Sequence, residues 1–376
     1  MLHGLAVNPR GDFGVVRPCQ LARVAHAPRA QRLVCLGMGE HGAHDALHRV
    51  RVPGWHEKAV FAVRNGVGNA LVFRADGDAA RRHRLDVDDA VALAPARQNE
   101  QVALRHPPQN LLVRQAAGQG AQVVLLPELF EREYFCQQRR YDFYAYAAPT
   151  DENPAVQMGI RLARELHIVL PISFFERDCN NFYNTVACID ADGTLLGTYR
   201  KTHIPDDHYY QEKFYFTPGD TGFRVFRTKF GCIGVGICWD QWFPETARCL
   251  ALKGAELLFF PTAIGSEPVL DVDSAGHWQR CMQGHAAANL IPVLAANRYG
   301  AERVEPSPEN GGQHSELTFY GSSFITDESG ALLTSAGRDG EAILCAEFDM
   351  DTLQMKRLEW GLFRDRRPNC YTDIVS

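Results

Sequence analysis

From residue 111 onward the chain is punctuated by short runs that are apolar on consecutive positions rather than alternate ones. This restricts the fold more than any other feature. Residues 123–126 (VVLL), 257–260 (LLFF) and 293–296 (VLAA) offer no polar face. Strands of this kind must be covered on both sides, so the expected class is α/β, with helices outside and sheets inside. Helical stretches stand between the runs, at residues 111–120, 154–167, 244–253 and 277–289; in the second, apolar residues at 156, 160 and 163 share one face. Residues 184–190 and 194–199 flank an Asp192-Gly193 turn, a hairpin signal, and 225–228 with 231–238 read as a further strand pair. Strands are also expected at 121–126, 168–175, 256–261, 291–296, 318–326 and 341–348.

Residues 1–110 have a different character. They hold fourteen Arg against one Lys and eight of the fourteen His, and their net charge is +5 against −11 for the remainder. Apart from a hairpin signal at 59–75, with Asn65-Gly66 in the turn, neither the helical nor the strand period is sustained. The expected organisation is therefore an irregular basic extension over 1–110 and an α/β domain over 111–376. Gly37, Gly39 and Gly42 spell a formal GxGxxG, but no long helix follows and Pro53 interrupts, so no dinucleotide site is read there. The overall charge of −6 argues against a nucleic-acid binder. No run approaches the roughly 18 apolar residues of a membrane-spanning helix. The N-terminus lacks a basic stretch followed by an apolar one, so no secretory signal is expected. Eleven cysteines, an odd number with no CxxC pair, then suggest reduced thiols in a cytoplasmic protein. No histidine stands at ligand spacing with them, so no metal is expected.

Three polar residues close three of the strand-like segments. Glu128 follows Pro127 at the mouth of the 121–126 run, where a partly desolvated carboxylate can exchange protons near neutral pH. Lys201 ends the 194–199 strand and can donate to a developing oxyanion. Cys238 ends the 231–238 strand just before a helix, where backbone N–H groups favour a thiolate. Each alone fits a duller role: a helix-terminal acid, a solvated lysine, a core cysteine. Together they suit a thiol attacking an unactivated carbonyl carbon, with Glu128 carrying the proton and Lys201 holding the oxyanion. Glu212, set among aromatics in YYQEKFYF, is either a salt-bridged surface acid or a second proton carrier. His203 and His208 show no partner signal, so a Cys–His dyad is not expected.

LLPELFEREYFC, YRKTHIPDD and GVGICWDQWFPETAR resemble the glutamate, lysine and cysteine motifs of the nitrilase, or carbon–nitrogen hydrolase, superfamily. The resemblance extends over about 265 residues. PTAIGSEP, HWQRCMQGHAAANLIPVLAANRYG, LTFYGSSFI and WGLFRDRRPN point to its N-carbamoylputrescine amidase branch, of polyamine and putrescine biosynthesis. The resemblance implies a four-layer αββα sandwich that pairs across subunits into a homo-oligomer, with no metal or organic cofactor. It implies Glu128 as general base, Lys201 as oxyanion donor, Cys238 as nucleophile, Glu212 as a supporting residue, and Tyr134 and Trp239 as substrate-binding. The implied substrate is a small ureido or amide compound with a distal ammonium, which calls for a carboxylate among Glu131, Asp206, Asp207 and Glu267. Alternatives are an amidase for aliphatic amides, nitriles or β-ureidopropionate, or an inactive member. One departure stands out: within 86–110 only 88–93 (DDAVAL) could supply the family's first strand. Without it a neighbouring strand would keep an unpaired edge.

Overall fold

The computed structural model describes residues 106–266 and 272–374, with side chains from Asn110, and the backbone of three short strands, Gln31–Leu36, Lys58–Ala59 and Phe61–Arg64. The glycine motif at 37–42, residues 65–75 of the expected hairpin, the 88–93 candidate strand and Glu267 lie outside the described residues.

Two sheets face each other. In the first, Val123–Leu125 runs parallel to Phe61–Arg64, which also pairs with Ile343–Phe348. A parallel bridge from Val123 to Val169 leads into the meander Leu170–Asp178, Asn181–Ile189, Leu195–Arg200. The second sheet has the order Leu332–Ser335, Phe324–Thr326, Val293–Asn297, Leu257–Thr262, Gly231–Val235, Val225–Thr228. Its three middle strands are parallel, and their apolar runs are those of strands buried on both faces.

The two-residue period sorts these runs into layers. Val123 and Leu125 point inward to meet Val235, Leu257 and Phe259 from the opposite sheet. Val124 and Leu126 point outward, under Leu112, Val113, Val156 and Leu162 of the helices His106–Gly118 and Pro154–Leu166. Leu258 and Phe260 turn the other way, under Leu250, Trp278 and Met282 of the helices Pro244–Leu252 and Ala275–Asn289. The expected αββα sandwich is the result. Its helix ends are locally specified: Asn153 Oδ1 accepts from the N–H groups of Ala155 and Val156, and His167 closes the same helix in the left-handed conformation.

Several elements depart from expectation. The strand read at 318–326 is two strands in different sheets, Ser315–Tyr320 and Phe324–Thr326. The chain turns between them through Gly321 and Ser322, both at positive φ, and a Cβ on Gly321 would lie 2.4 Å from the Arg338 carbonyl oxygen. The first helix begins at His106, since prolines in a first turn lack no needed donor. Tyr299–Val304, Leu332–Ser335 and the helix Met350–Trp360 were not anticipated; Met355, Leu358 and Trp360 are exposed, which blurs the period of that helix. Cys136, Cys179, Cys188, Cys232, Cys238, Cys249, Cys281 and Cys370 are free thiols. Among the described residues no helix is long and apolar enough to cross a membrane.

One glycine couples the fold to Lys201. The Gly219 N–H donates to the Lys201 carbonyl at 2.8 Å, and a Cβ there would stand 2.1 Å from the Arg200 carbonyl oxygen. Gly219→Ala is therefore expected to cost about 2 kcal/mol or more, by forcing backbone apart. Gly118→Ala, where a Cβ meets nothing within 4 Å, should leave the melting temperature nearly unchanged.

Candidate active site

The backbone turns sharply at each of the three candidate positions. Val123–Leu125 ends before Pro127, and Leu129, directly after Glu128, is left-handed at φ 47°. Lys201 follows the last residue of Leu195–Arg200, and its N–H is taken by the Asn184 carbonyl at 2.8 Å. Cys238 has φ 42°, an uncommon conformation for a side chain of its kind. It opens a short 3-10 turn, Cys238–Trp242, while the α-helix expected directly after it begins only at Pro244. The strand itself stops at Val235. The cause of this turn is Asp240, fully buried, whose Oδ2 accepts from the Ile237 N–H at 2.9 Å and from Tyr199 Oη at 2.7 Å.

The fold brings Glu128, Lys201 and Glu212 into one fully enclosed cluster. Lys201 Nζ donates to Glu128 Oε1 at 2.8 Å and to Glu212 Oε2 at 2.6 Å. Asn184 Nδ2 donates to the same Glu128 Oε1 at 2.6 Å, and Tyr134 Oη to Glu212 Oε1 at 2.7 Å. Glu128 Oε1 is thus used twice, while Oε2 is buried with no hydrogen-bond partner among the described residues. That oxygen is free to take a proton.

Electrostatics follow from this enclosure. Burial pulls the Lys201 pKa down, but the two carboxylates together outweigh it and leave it well above the ordinary lysine value. Burial pushes Glu212 up to about 7, against the pull of Lys201 and with help from Glu128. Cys238 is 6% exposed. Burial first, and the Glu128 charge second, hold its thiol above the usual range, with Lys201 opposing. At neutral pH the thiol therefore rests protonated and needs a base.

The remaining candidates separate. Glu212 is buried, not a surface acid. Tyr134 is buried against Glu212, whereas Trp239 is 38% exposed beside the nucleophile candidate. Of the acids considered for a distal ammonium, Glu131 is buried, 3.5 Å from Asn153 Nδ2, and is pushed up to about 7 by burial. Asp206 faces Arg139 at 3.8 Å and Asp207 bonds the His208 N–H. None of these three is hydrogen-bonded into the Glu128 cluster. His203, expected to be unpartnered, has one: its Nδ1 lies 2.7 Å from Asp240 Oδ1, so it pairs with an acid rather than with a thiol. Asn184, Asp240 and Ser173, whose Oγ accepts from the Leu129 N–H at 3.0 Å, were not anticipated, since nothing in their local pattern separates them from ordinary strand and turn residues. Among the described residues, no three His, Cys, Asp or Glu side chains are grouped as a metal site requires.

Comparison with known proteins identifies the family. Residues 91–357 match the carbon-nitrogen hydrolase family model, beginning within the 88–93 segment. The chain belongs to the carbon–nitrogen hydrolase family. It is 55% identical over 266 residues to an N-carbamoylputrescine amidase of Arabidopsis thaliana, covering 70% of this chain and 88% of that one. It is also 55% identical to a citrullinase of Francisella tularensis, covering 69% and 89%. A crystal structure of a carbon-nitrogen hydrolase from Helicobacter pylori superposes with a TM-score of 0.65 at 36% identity, over 72% and 92% of the two chains. The chain is thus a C–N hydrolase, and the sandwich is that of its relatives.

The Glu128 charge raises the Cys238 pKa, so neutralising it must lower that pKa. Glu128→Gln is expected to shift the pH midpoint of Cys238 alkylation by iodoacetamide downward, without substrate present. The pH dependence of the alkylation rate checks this, and an upward or absent shift would separate the two groups.

Proposed function

We propose that the chain hydrolyses N-carbamoylputrescine to putrescine, carbon dioxide and ammonia, through an S-carbamoyl (thiocarbamate) form of the thioester intermediate on Cys238. The observation that carries this reading is the 55% identity to a plant N-carbamoylputrescine amidase across 88% of its length. The enclosed Glu–Lys–Glu cluster supports it by supplying an acyl-transfer site for an unactivated carbonyl.

Glu128 Oε2 removes the thiol proton as sulfur bonds to the ureido carbon, and the oxygen gains the negative charge. Lys201, with backbone N–H groups of the Cys238 turn, stabilises that charge. The intermediate collapses with cleavage of the carbon–nitrogen bond, and Glu128 returns the proton to the leaving putrescine amine. The S-carbamoyl cysteine then takes up water, which gives its proton to Glu128. Sulfur leaves as thiol, and the released carbamic acid breaks down to carbon dioxide and ammonia. Glu212, anchored by Tyr134, keeps Lys201 in place. Trp239 borders the substrate, and an acid from the motif-bearing loops meets the distal ammonium. The same reading places the enzyme in the cytoplasm as a homo-oligomer.

A second substrate is favoured by the bacterial relative. Citrulline is also a ureido compound, and it carries an α-carboxylate beside its ammonium. Ammonia release from the two compounds distinguishes them.

Cys238→Ala is expected to abolish turnover while substrate binding stays measurable. Retention of more than about a hundredth of the activity, a loss below roughly 3 kcal/mol, would remove Cys238 from the nucleophile role. Putrescine should inhibit competitively, and a neutral butyl compound of similar length far less. Equal inhibition by the two would mean that no carboxylate meets the distal end.

A further inference from the structure

Arg298 follows the strand Val293–Asn297 of the nucleophile's sheet, yet its side chain reaches the loop that carries Glu128 in the other sheet. Its Nε donates to the Glu128 carbonyl at 3.3 Å, one terminal nitrogen donates to the carbonyls of Leu129 and of Arg132, the latter at 2.8 Å, and the other meets Glu302 Oε1 at 2.7 Å. Glu302 Oε2 in turn accepts from the Tyr134 N–H at 2.5 Å. One ion pair therefore holds the 128–134 segment at both ends, and that segment bears the proposed base and the tyrosine that anchors Glu212.

The base of this clamp is rigid. Asn297 Oδ1 accepts from the Ile264 N–H at 2.9 Å, and its Nδ2 donates to the carbonyls of Ile264 and Gly321. Arg298 is itself 5% exposed. Three carbonyls converging on a planar fork use the geometry that distinguishes arginine from lysine, which offers donors from a single point. The left-handed Leu129 explains why such a hold is needed. A leucine at φ 47° is strained and persists only where its surroundings over-determine it, here by Ser173 on its N–H and Arg298 on its carbonyl.

We propose that Arg298, braced by Glu302, is a positioning residue that sets Glu128 relative to Cys238 by tying the base's loop to the end of the nucleophile's sheet. The proposal rests on the assignment of Glu128 as general base. Loss of the clamp lets the base wander, so it lowers the chemical rate and weakens the electrostatic hold of Glu128 on the thiol. Arg298 and Glu302 themselves bond only protein groups, so the chemical rate should suffer more than substrate affinity.

The test uses the full chain with N-carbamoylputrescine, or citrulline if that is the better substrate. Arg298→Lys is expected to lower kcat on the order of 100-fold, as small displacements of a reacting group do. KM should change by less than about threefold, and the pH midpoint of Cys238 alkylation should move toward that of Glu128→Gln. Glu302→Gln keeps one acceptor of two and should shift both readouts the same way by less. A folded Arg298→Lys with near-wild-type kcat, or with a lowered kcat and an unmoved midpoint, overturns the proposal. Should Arg298→Lys not fold, an unchanged kcat and midpoint in Glu302→Gln overturns it instead. An active Glu128→Gln overturns the base assignment and the clamp with it, whereas an inactive Glu128→Gln beside a wild-type-like Arg298→Lys overturns the clamp alone.

Discussion

A fully buried ammonium held between two fully buried carboxylates is the interaction on which the rest of this site depends. Taking three charges out of water is costly, and the cost is met only while all three remain in contact. Removing Lys201 would leave two acids facing each other in a closed space, and removing either acid would leave the thiol in a different field. The aromatic side chains of Tyr134, Phe135, Phe175, Tyr215 and Phe216 pack together around this region and keep it dry. Dryness makes Glu212 harder to ionise and Cys238 reluctant to lose its proton, so chemistry waits for a substrate and a base.

The sandwich supplies what this cluster needs because the acid–lysine part and the thiol come from opposite sheets. Glu128 and Lys201 follow strands of one layer, in which the bridge from Val123 to Val169 joins two sheets, while Cys238 follows a strand of the facing sheet. Their separation is therefore set by how the sheets pack, and two buried ties cross that divide. Asp240 joins the Cys238 turn to Tyr199 and to the His203 N–H, next to Lys201 on either side. Arg298 joins the end of the second sheet to the carbonyls around Glu128. The apolar contacts between Val123, Leu125, Val235 and Phe259 hold the layers together, and the polar ties fix their register.

Much of this was legible from residue types alone. All-apolar runs announce strands covered on both faces, and a single charged residue closing such a run has few reasons to be there. Glu128 closes such a run, Lys201 and Cys238 close other strand-like segments, and the three residue types together, rather than any one alone, suggested acyl transfer. Glu212 was ambiguous because burial of an acid depends on distant aromatics rather than on its neighbours in the chain. Asn184 and Asp240 were invisible, since their side-chain partners lie 37 or more positions away. Arg298 and Glu302 are only four positions apart, but the backbone carbonyls and the N–H that they hold around Glu128 have no sequence signature. The break at Gly321-Ser322 was missed because an apolar pattern continues across it, and the turn is forced by close backbone approach to Arg338. Exposed apolar residues likewise concealed the helix Met350–Trp360.

The central claim is that Glu128 Oε2 takes the proton of Cys238 as sulfur bonds to a ureido carbon. Rapid acid quenching during turnover, followed by peptide mass spectrometry, tests it most directly. A carbamoyl adduct on the peptide containing Cys238, present in the wild type and missing in Glu128→Gln at equal substrate occupancy, is the expected result. Ammonia release with no adduct on Cys238, or an adduct that forms equally fast without the Glu128 carboxylate, would contradict it.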